Sequence, residues 1–298
     1  MRAIQYTRHG GPDVLHLDYA PIPEPGPNLI RVAVRAAGVN ALDWKIREGR
    51  LGEHPMPYRP GLELAGVVDA VGDGVAATVG DEVLGWSLTG AYAEYALAEF
   101  VTTKPPTLTW HDAAALPVAG EAAVRALREL KMAPGETLLI HGAGGNVGAL
   151  ATQLAIADGT TVIGTASAGN IDYVSSLGAT PVIHGEGLAD RVRQLTSRID
   201  AVLDVADLGA LPDLLTLHSG SARVLTLTDP AAPQRGIAFS SRTPSPRDTT
   251  TLAELAAKVA ASRLHIRHAH RYPLAKAADA QQDSASGHSP GKTTLTIE

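Results

Sequence analysis

The chain has 298 residues, a formal net charge of −6, 45% hydrophobic and 4% aromatic residues, and no cysteine. That length suits about two domains, and the apolar content is too high for a disordered chain. The negative charge disfavours nucleic-acid partners, and the missing cysteines exclude disulfides, thiolate zinc sites and a cysteine nucleophile. No secretory leader is expected from Met1 to Tyr6, and no apolar run approaches the roughly 18 residues that a membrane span needs. A cytoplasmic location is therefore expected.

Residues 1–110 read as strands and turns. Pro21, Pro23, Pro25 and Pro27 exclude helix before Leu29, and Leu29 to Val39 begins with the alternation of a half-buried strand. Gly66 to Gly72 and Asp81 to Trp86 are further short strands punctuated by glycine, which suggests a β-barrel-like unit. The texture changes near residue 111. His111 to Ala115 and Glu121 to Leu130 have helical composition, and from there strands and helices alternate. Strands are expected at Thr137–His141, Thr161–Thr165, Pro181–Ile183, Ala201–Val205 and Ala222–Leu227, with helices over Val147–Ala157 and Ile171–Leu177. Such repeats imply parallel strands joined by crossover helices. The last third returns to the first texture: a helix over Leu252–Ser262, strands over His265–His270 and Lys292–Ile297, and a polar loop over Arg242–Thr251 as the crossover between domains. The expected fold is α/β, a Rossmann-like doubly wound parallel sheet over 116–245 beside a β-barrel domain discontinuous over 1–115 and 246–298.

The most informative segment is Gly142-Ala143-Gly144-Gly145-Asn146-Val147-Gly148, after a strand and at the start of a helix. Glycine lets a pyrophosphate approach the main chain, and a helix N-terminus offers unpaired N–H groups to an anion. The spacing is Gly142-x-x-Gly145-x-x-Gly148, with Val147 where a literal GxGxxG has its third glycine. Gly142 to Val147 are thus expected to cradle a dinucleotide, the alternative being a ligand-free β–α turn. An NAD site usually carries Asp or Glu about 20 residues on, against the ribose 2′-hydroxyl. Here the stretch from Gly164 through Thr165, Ala166 and Ser167 to Asn170 has no carboxylate, and Ser167 and Asn170 can donate to a 2′-phosphate. This favours NADP(H), although no Arg or Lys lies there.

Motifs along nearly the whole chain resemble those of the zinc-independent medium-chain dehydrogenases/reductases of the quinone oxidoreductase, zeta-crystallin-like type. They are Gly38-Val39-Asn40-Ala41-Leu42-Asp43, Pro60-Gly61-Leu62-Glu63-Leu64-Ala65-Gly66, Val79-Gly80-Asp81-Glu82-Val83, Gly90-Ala91-Tyr92-Ala93-Glu94-Tyr95, Ala113-Ala114-Ala115-Leu116-Pro117, the glycine turn, and Gly291-Lys292. The resemblance implies a GroES-like β-barrel catalytic domain, a Rossmann-like domain, a cofactor between them, and a homodimer. In zinc-dependent relatives a cysteine stands near Asn40 and a histidine near Leu62, so no catalytic metal is expected. His265, His268 and His270 are read as a strand and not as ligands. Three positions depart from the family: Glu121 for a threonine near the nicotinamide, Asn170 for a lysine near the 2′-phosphate, and Gly185 for a tyrosine near the adenosine.

The chemistry this implies is hydride transfer from NADPH to a small quinone or α,β-unsaturated carbonyl. Without a Lewis acid, a conjugated acceptor that spreads charge suits better than an alcohol. The resemblance makes Asn40 the pocket donor, the alternative being a turn-fixing side chain. Trp44, Lys45, His54 and Tyr58 are candidate pocket residues, Trp44 and Tyr58 among the catalytic set, the alternative for Trp44 being ordinary core packing. Lys292 is expected to reach the cofactor or to be a surface charge, and Asp43 and Glu63 to be structural carboxylates holding turns or an arginine. Two other functions stay open: a biosynthetic enoyl reductase or tailoring enzyme, and a non-catalytic NADPH-binding redox sensor.

Overall fold

The computed structural model describes all residues except 207, 208, 210, 218–222, 241–246 and 288. The chain divides into two compact units, Met1–Glu121 with Arg247–Glu298, and Ala122–Pro246.

The first unit holds β1 (Arg2–Gln5), β2 (His16–Tyr19), β3 (Ile30–Val39), α1 (Ala41–Arg47), β4 (Glu63–Val71), β5 (Glu82–Ser87), β6 (Tyr95–Thr103) and α2 (Trp110–Ala114). The helix α3 (Pro117–Leu130) carries the chain into the second unit. That unit contains β7 (Thr137–His141), α4 (Asn146–Ala157), β8 (Thr161–Ala166), α5 (Ile171–Ser176), β9 (Thr180–Ile183), α6 (Leu188–Leu195), β10 (Ala201–Asp204), α7 (Leu211–Leu215), β11 (Arg223–Thr226) and β12 (Ala238–Phe239). The chain returns to the first unit for α8 (Thr249–Ala260), β13 (His268–Pro273), α9 (Ala277–Ala285) and β14 (Lys292–Thr296).

In the first unit the sheet runs β13-β14-β3-β4-β5-β6, and a further β3–β6 pairing closes four of these strands on themselves. Closure removes exposed edges, and the apolar faces enclose a core that includes Ile30, Val32, Val68, Val83, Ala96 and Leu295. β14 pairs antiparallel with β3, Thr293 opposite Val39, which brings the C-terminal strand beside the start of α1.

The second unit is a six-stranded sheet ordered β12-β11-β10-β7-β8-β9 with every pairing parallel. Leu139, Ile163, Val182 and Val202 bury one face with Leu188 and Val192 of α6. Strand order reverses between β7 and β10, and the crevice at the carboxyl ends of strands at such a reversal is where α/β sheets bind ligands. The glycine turn leaves β7 at that point.

Several details depart from the sequence reading. The histidine-rich strand starts at His268 and runs to Pro273, because its pairing with β14 begins at Lys292. Helix α8 starts at Thr249 inside the expected loop, since the Asp248 side chain caps it by accepting from the Thr251 amide. Half of that loop, 242–246, lies outside the described residues. Helices α1, α6, α7 and α9 went unforeseen.

Candidate active site

In the second unit, Gly142 takes a left-handed φ of 92° and its amide donates to Thr165 Oγ1 at 3.1 Å. Ala143 N–H is held by the Thr165 carbonyl at 2.9 Å, so the end of β8 fixes the turn from behind. A Cβ on Gly148 would stand 2.2 Å from the Gly142 carbonyl oxygen, so α4 starts pressed against the turn. Gly145 is the N-cap residue and no side chain caps the helix. A Cβ on Gly145 would find nothing nearer than the Gly142 oxygen at 3.5 Å, which leaves the space above the turn open. Uncapped amides over open space at the switch point fit a pyrophosphate. Gly142, Ala143, Gly144, Gly145, Asn146, Val147, Thr165 and Ala166 are thus brought together. Ser167 and Asn170 follow at the end of β8, where Asn170 Nδ2 donates to Ser167 Oγ at 3.3 Å. These residues fit a dinucleotide.

Beneath the turn lies a row that the sequence reading missed. Thr165, His141, Asp204 and Thr226 sit in register on adjacent parallel strands and are all buried. Thr165 Oγ1 is 2.7 Å from His141 Nδ1, and Asp204 accepts from Thr226 Oγ1 at 2.8 Å. Burial holds the His141 pKa below the usual histidine value.

In the first unit, α1 begins at Asn40, whose backbone N–H donates to Asp43 Oδ2 at 2.8 Å, a capping contact three residues apart. Asn40 Nδ2 donates to Glu63 Oε1 at 2.8 Å. Lys292 Nζ donates to Asn40 Oδ1 and to Glu63 Oε1, both at 2.6 Å, and Val118 N–H donates to Glu63 Oε2 at 2.7 Å. Lys292 and Glu63 are completely buried. Gly38 permits this: a Cβ there would stand 2.1 Å from Glu63 Oε1 and 2.5 Å from the Ala114 carbonyl. Lys292 is therefore not a surface charge; its ammonium is held inside the unit by Asn40 and Glu63. Glu63 holds a lysine in place of the expected arginine.

Asp43 is buried beside this triangle and accepts also from Gly61 N–H and Tyr92 Oη, each at 3.2 Å. Burial pushes its pKa up to about 7, against the downward pull of the Asn40 amide and Lys292. Burial also drives the Tyr92 phenol well up. A carboxyl raised in the folded state binds more protons than the unfolded chain between the two pKa values, so stability falls as pH rises from about 4 to about 7. The slope from this group approaches about 1.4 kcal/mol per pH unit in that window. Urea midpoints across the window should show it, and Asp43→Asn should flatten it; an unchanged slope would assign it elsewhere.

Trp44 follows on α1, half-buried, its ring flanked by Lys45 Nζ at 5.5 Å and the Arg50 guanidinium at 5.2 Å. Its indole N–H is buried without a hydrogen-bond partner among the described residues. Tyr58 belongs to a ring group, 5.4 Å from Tyr6 and 5.2 Å from His54. Tyr6 was not foreseen; its hydroxyl is buried without a partner among the described residues, and burial raises its pKa. Outside this site, His268 Nε2 lies 2.6 Å from Asp112 Oδ1, which ties β13 to α2.

Residues 26–106 match the alcohol dehydrogenase GroES-like domain family, and residues 177–295 the zinc-binding dehydrogenase family. A barrel of the first kind joined to a Rossmann-like sheet defines a medium-chain dehydrogenase/reductase. The chain is 33% identical to the quinone oxidoreductase of Lama guanicoe, across all of this chain and 98% of that protein. It is 42% identical to the quinone oxidoreductase of Rattus norvegicus over 56% of this chain, and there it spans about half, 53%, of the relative. The Escherichia coli quinone oxidoreductase, solved in complex with NADPH, superposes with a TM-score of 0.90 at 26% identity, covering 99% of this chain and all of that one. The chain belongs to the quinone oxidoreductase family.

The zinc implied by one family's name does not fit these residues. The Asn40 amide oxygen and the Glu63 carboxylate both already hold the Lys292 ammonium, and Leu62 offers no donor. A metal ion would have to share those oxygens with a buried like charge. Among the described residues no group of three or more His, Asp or Glu side chains is placed to hold a metal, and no helix is long and apolar enough to cross a membrane.

Proposed function

We propose that the chain is an NADPH-dependent reductase that delivers hydride to a small quinone or α,β-unsaturated carbonyl. The observation that carries this reading is the uncapped start of α4, pressed against the Gly142 turn where strand order reverses. Its amides hold the pyrophosphate, and the carboxylate-free end of β8 admits a 2′-phosphate beside Ser167 and Asn170.

When bound, NADPH supplies the hydride. The chain's own groups prepare the acceptor. Asn40 has a second Nδ2 hydrogen with no partner among the described residues, and it donates to the substrate carbonyl. Hydride addition to the conjugated carbon moves an electron pair onto that oxygen, and a fixed donor stabilises the growing charge. A proton from solvent completes the reduction, to a hydroquinone or a saturated carbonyl. Trp44 and Tyr58 supply ring faces for a flat substrate.

Fluorescence titration with NADPH and NADH tests the cofactor assignment: NADPH should bind more tightly, and tighter NADH binding would overturn it. Restoring a cation beside the 2′-phosphate gives a second expectation. Asn170→Lys should tighten NADPH by about tenfold, corresponding to about 1.4 kcal/mol, and leave NADH nearly unchanged. The gain should shrink with added salt.

A further inference from the structure

We propose that Lys292 is a positioning residue whose ammonium, anchored by Glu63, locks the Asn40 amide in the one orientation that turns an Nδ2 hydrogen-bond donor toward ligands. This rests on the reductase reading only for its consequence in turnover. The lock itself rests on three contacts.

A side-chain amide has two orientations of nearly equal shape, related by exchanging oxygen and nitrogen. Here only one is possible. With Oδ1 toward Lys292 Nζ at 2.6 Å and Nδ2 toward Glu63 Oε1 at 2.8 Å, both contacts are attractive. The exchanged orientation would place an NH2 group against an ammonium and an oxygen against a carboxylate. Neither charged partner can retreat, because both are completely buried, and Lys292 Nζ is itself fixed on Glu63 Oε1 at 2.6 Å. Val118 N–H holds the other carboxylate oxygen, and the missing side chain of Gly38 lets Glu63 reach β3. Asn40's backbone N–H is taken by Asp43.

One N–H of Nδ2 therefore remains for a ligand. The ammonium on the amide oxygen polarises the group and strengthens that N–H as a donor. An oxygen on which negative charge grows is favoured. An alcohol that must lose its proton finds no base here, because an amide oxygen is weakly basic and this one already accepts from an ammonium. Lys292 thus selects the direction of chemistry at Asn40 without touching the substrate.

The test is a double-mutant cycle read by kcat and KM for NADPH oxidation with 1,4-benzoquinone. Lys292→Met should lower kcat by about ten- to a hundredfold, within the range for losing an oriented donor. In an Asn40→Ala background the same change should cost less than about twofold, because its effect passes through Asn40. Equal losses in both backgrounds, or an unchanged kcat, would overturn the proposal. Glu63→Gln keeps the volume and the lysine, and it should show the same dependence on Asn40 if Lys292→Met does not fold. The side-chain amide signals of ¹⁵N-labelled protein report the lock independently of turnover. The Asn40 pair should move on Lys292→Met or Glu63→Gln, and identical positions would overturn the lock. A wild-type enzyme without quinone turnover would refute the reductase reading, and the amide signals alone would then decide the lock.

Discussion

Gly148→Ala should weaken NADPH binding by more than about a hundredfold, the worth of two charge-assisted amide hydrogen bonds. The added Cβ meets backbone on both sides, the Gly142 oxygen at 2.2 Å and Ala143 Cα at 2.8 Å. Backbone cannot swing aside like a side chain, so α4 or the turn must shift, and the amides of Asn146 and Val147 leave their places over the turn. Gly145→Ala separates ligand space from fold strain. Its Cβ has no protein neighbour closer than 3.5 Å and its φ of −84° suits alanine. It should cost the fold only about 1 kcal/mol as a poorer N-cap, yet still weaken NADPH binding. Titration and thermal unfolding of both variants check this. Binding within threefold of wild type in both would place the cofactor elsewhere.

Asn40→Ala should lower kcat/KM for a quinone by about 10²- to 10³-fold, the usual loss when one oxyanion donor is removed. Its effect on the fold should be smaller than that of any change to its buried partners. The backbone cap to Asp43 and the Lys292–Glu63 pair both survive the truncation. Steady-state kinetics with a quinone and an enone provide the check, and a loss below threefold for both would remove Asn40 from the chemistry. Glu63→Ala has a different expected signature. It leaves the Lys292 ammonium buried without its carboxylate, a loss of about 3–5 kcal/mol that unfolding would register first.

The glycine turn was legible because its meaning is local: strand, glycine spacing and helix follow one another within about twelve residues. The strands β7 to β11 were legible for the same reason, with the helices α4 and α5 between the first three of them. Helix α9 was not, because Ala277, Ala280 and Gln281 form its buried face and give no apolar stripe. Helix α1 has only seven residues and lies between two strands, so strand texture hid it. Its capping pair, Asn40 and Asp43, was read along the chain only as a pocket donor or turn-fixing side chain and a structural carboxylate. The role of Lys292 could not be read along the chain. Its partner Glu63 is 229 residues away, and only the pairing of β14 with β3 brings them together. The row through His141 and Asp204 depends on strand register across the switch point, which sequence order does not reveal.

The proposed reaction is direct hydride delivery from NADPH held at the α4 amides to an electron-poor carbon. Anaerobic single turnover with NADPH deuterated at each face of C4 in turn, and an enone as acceptor, tests it. The predicted result is loss of absorbance at the rate of product formation, with deuterium from one face carried to the enone β-carbon. Tight NADPH binding without oxidation, or a product whose new hydrogen comes only from solvent, would contradict it.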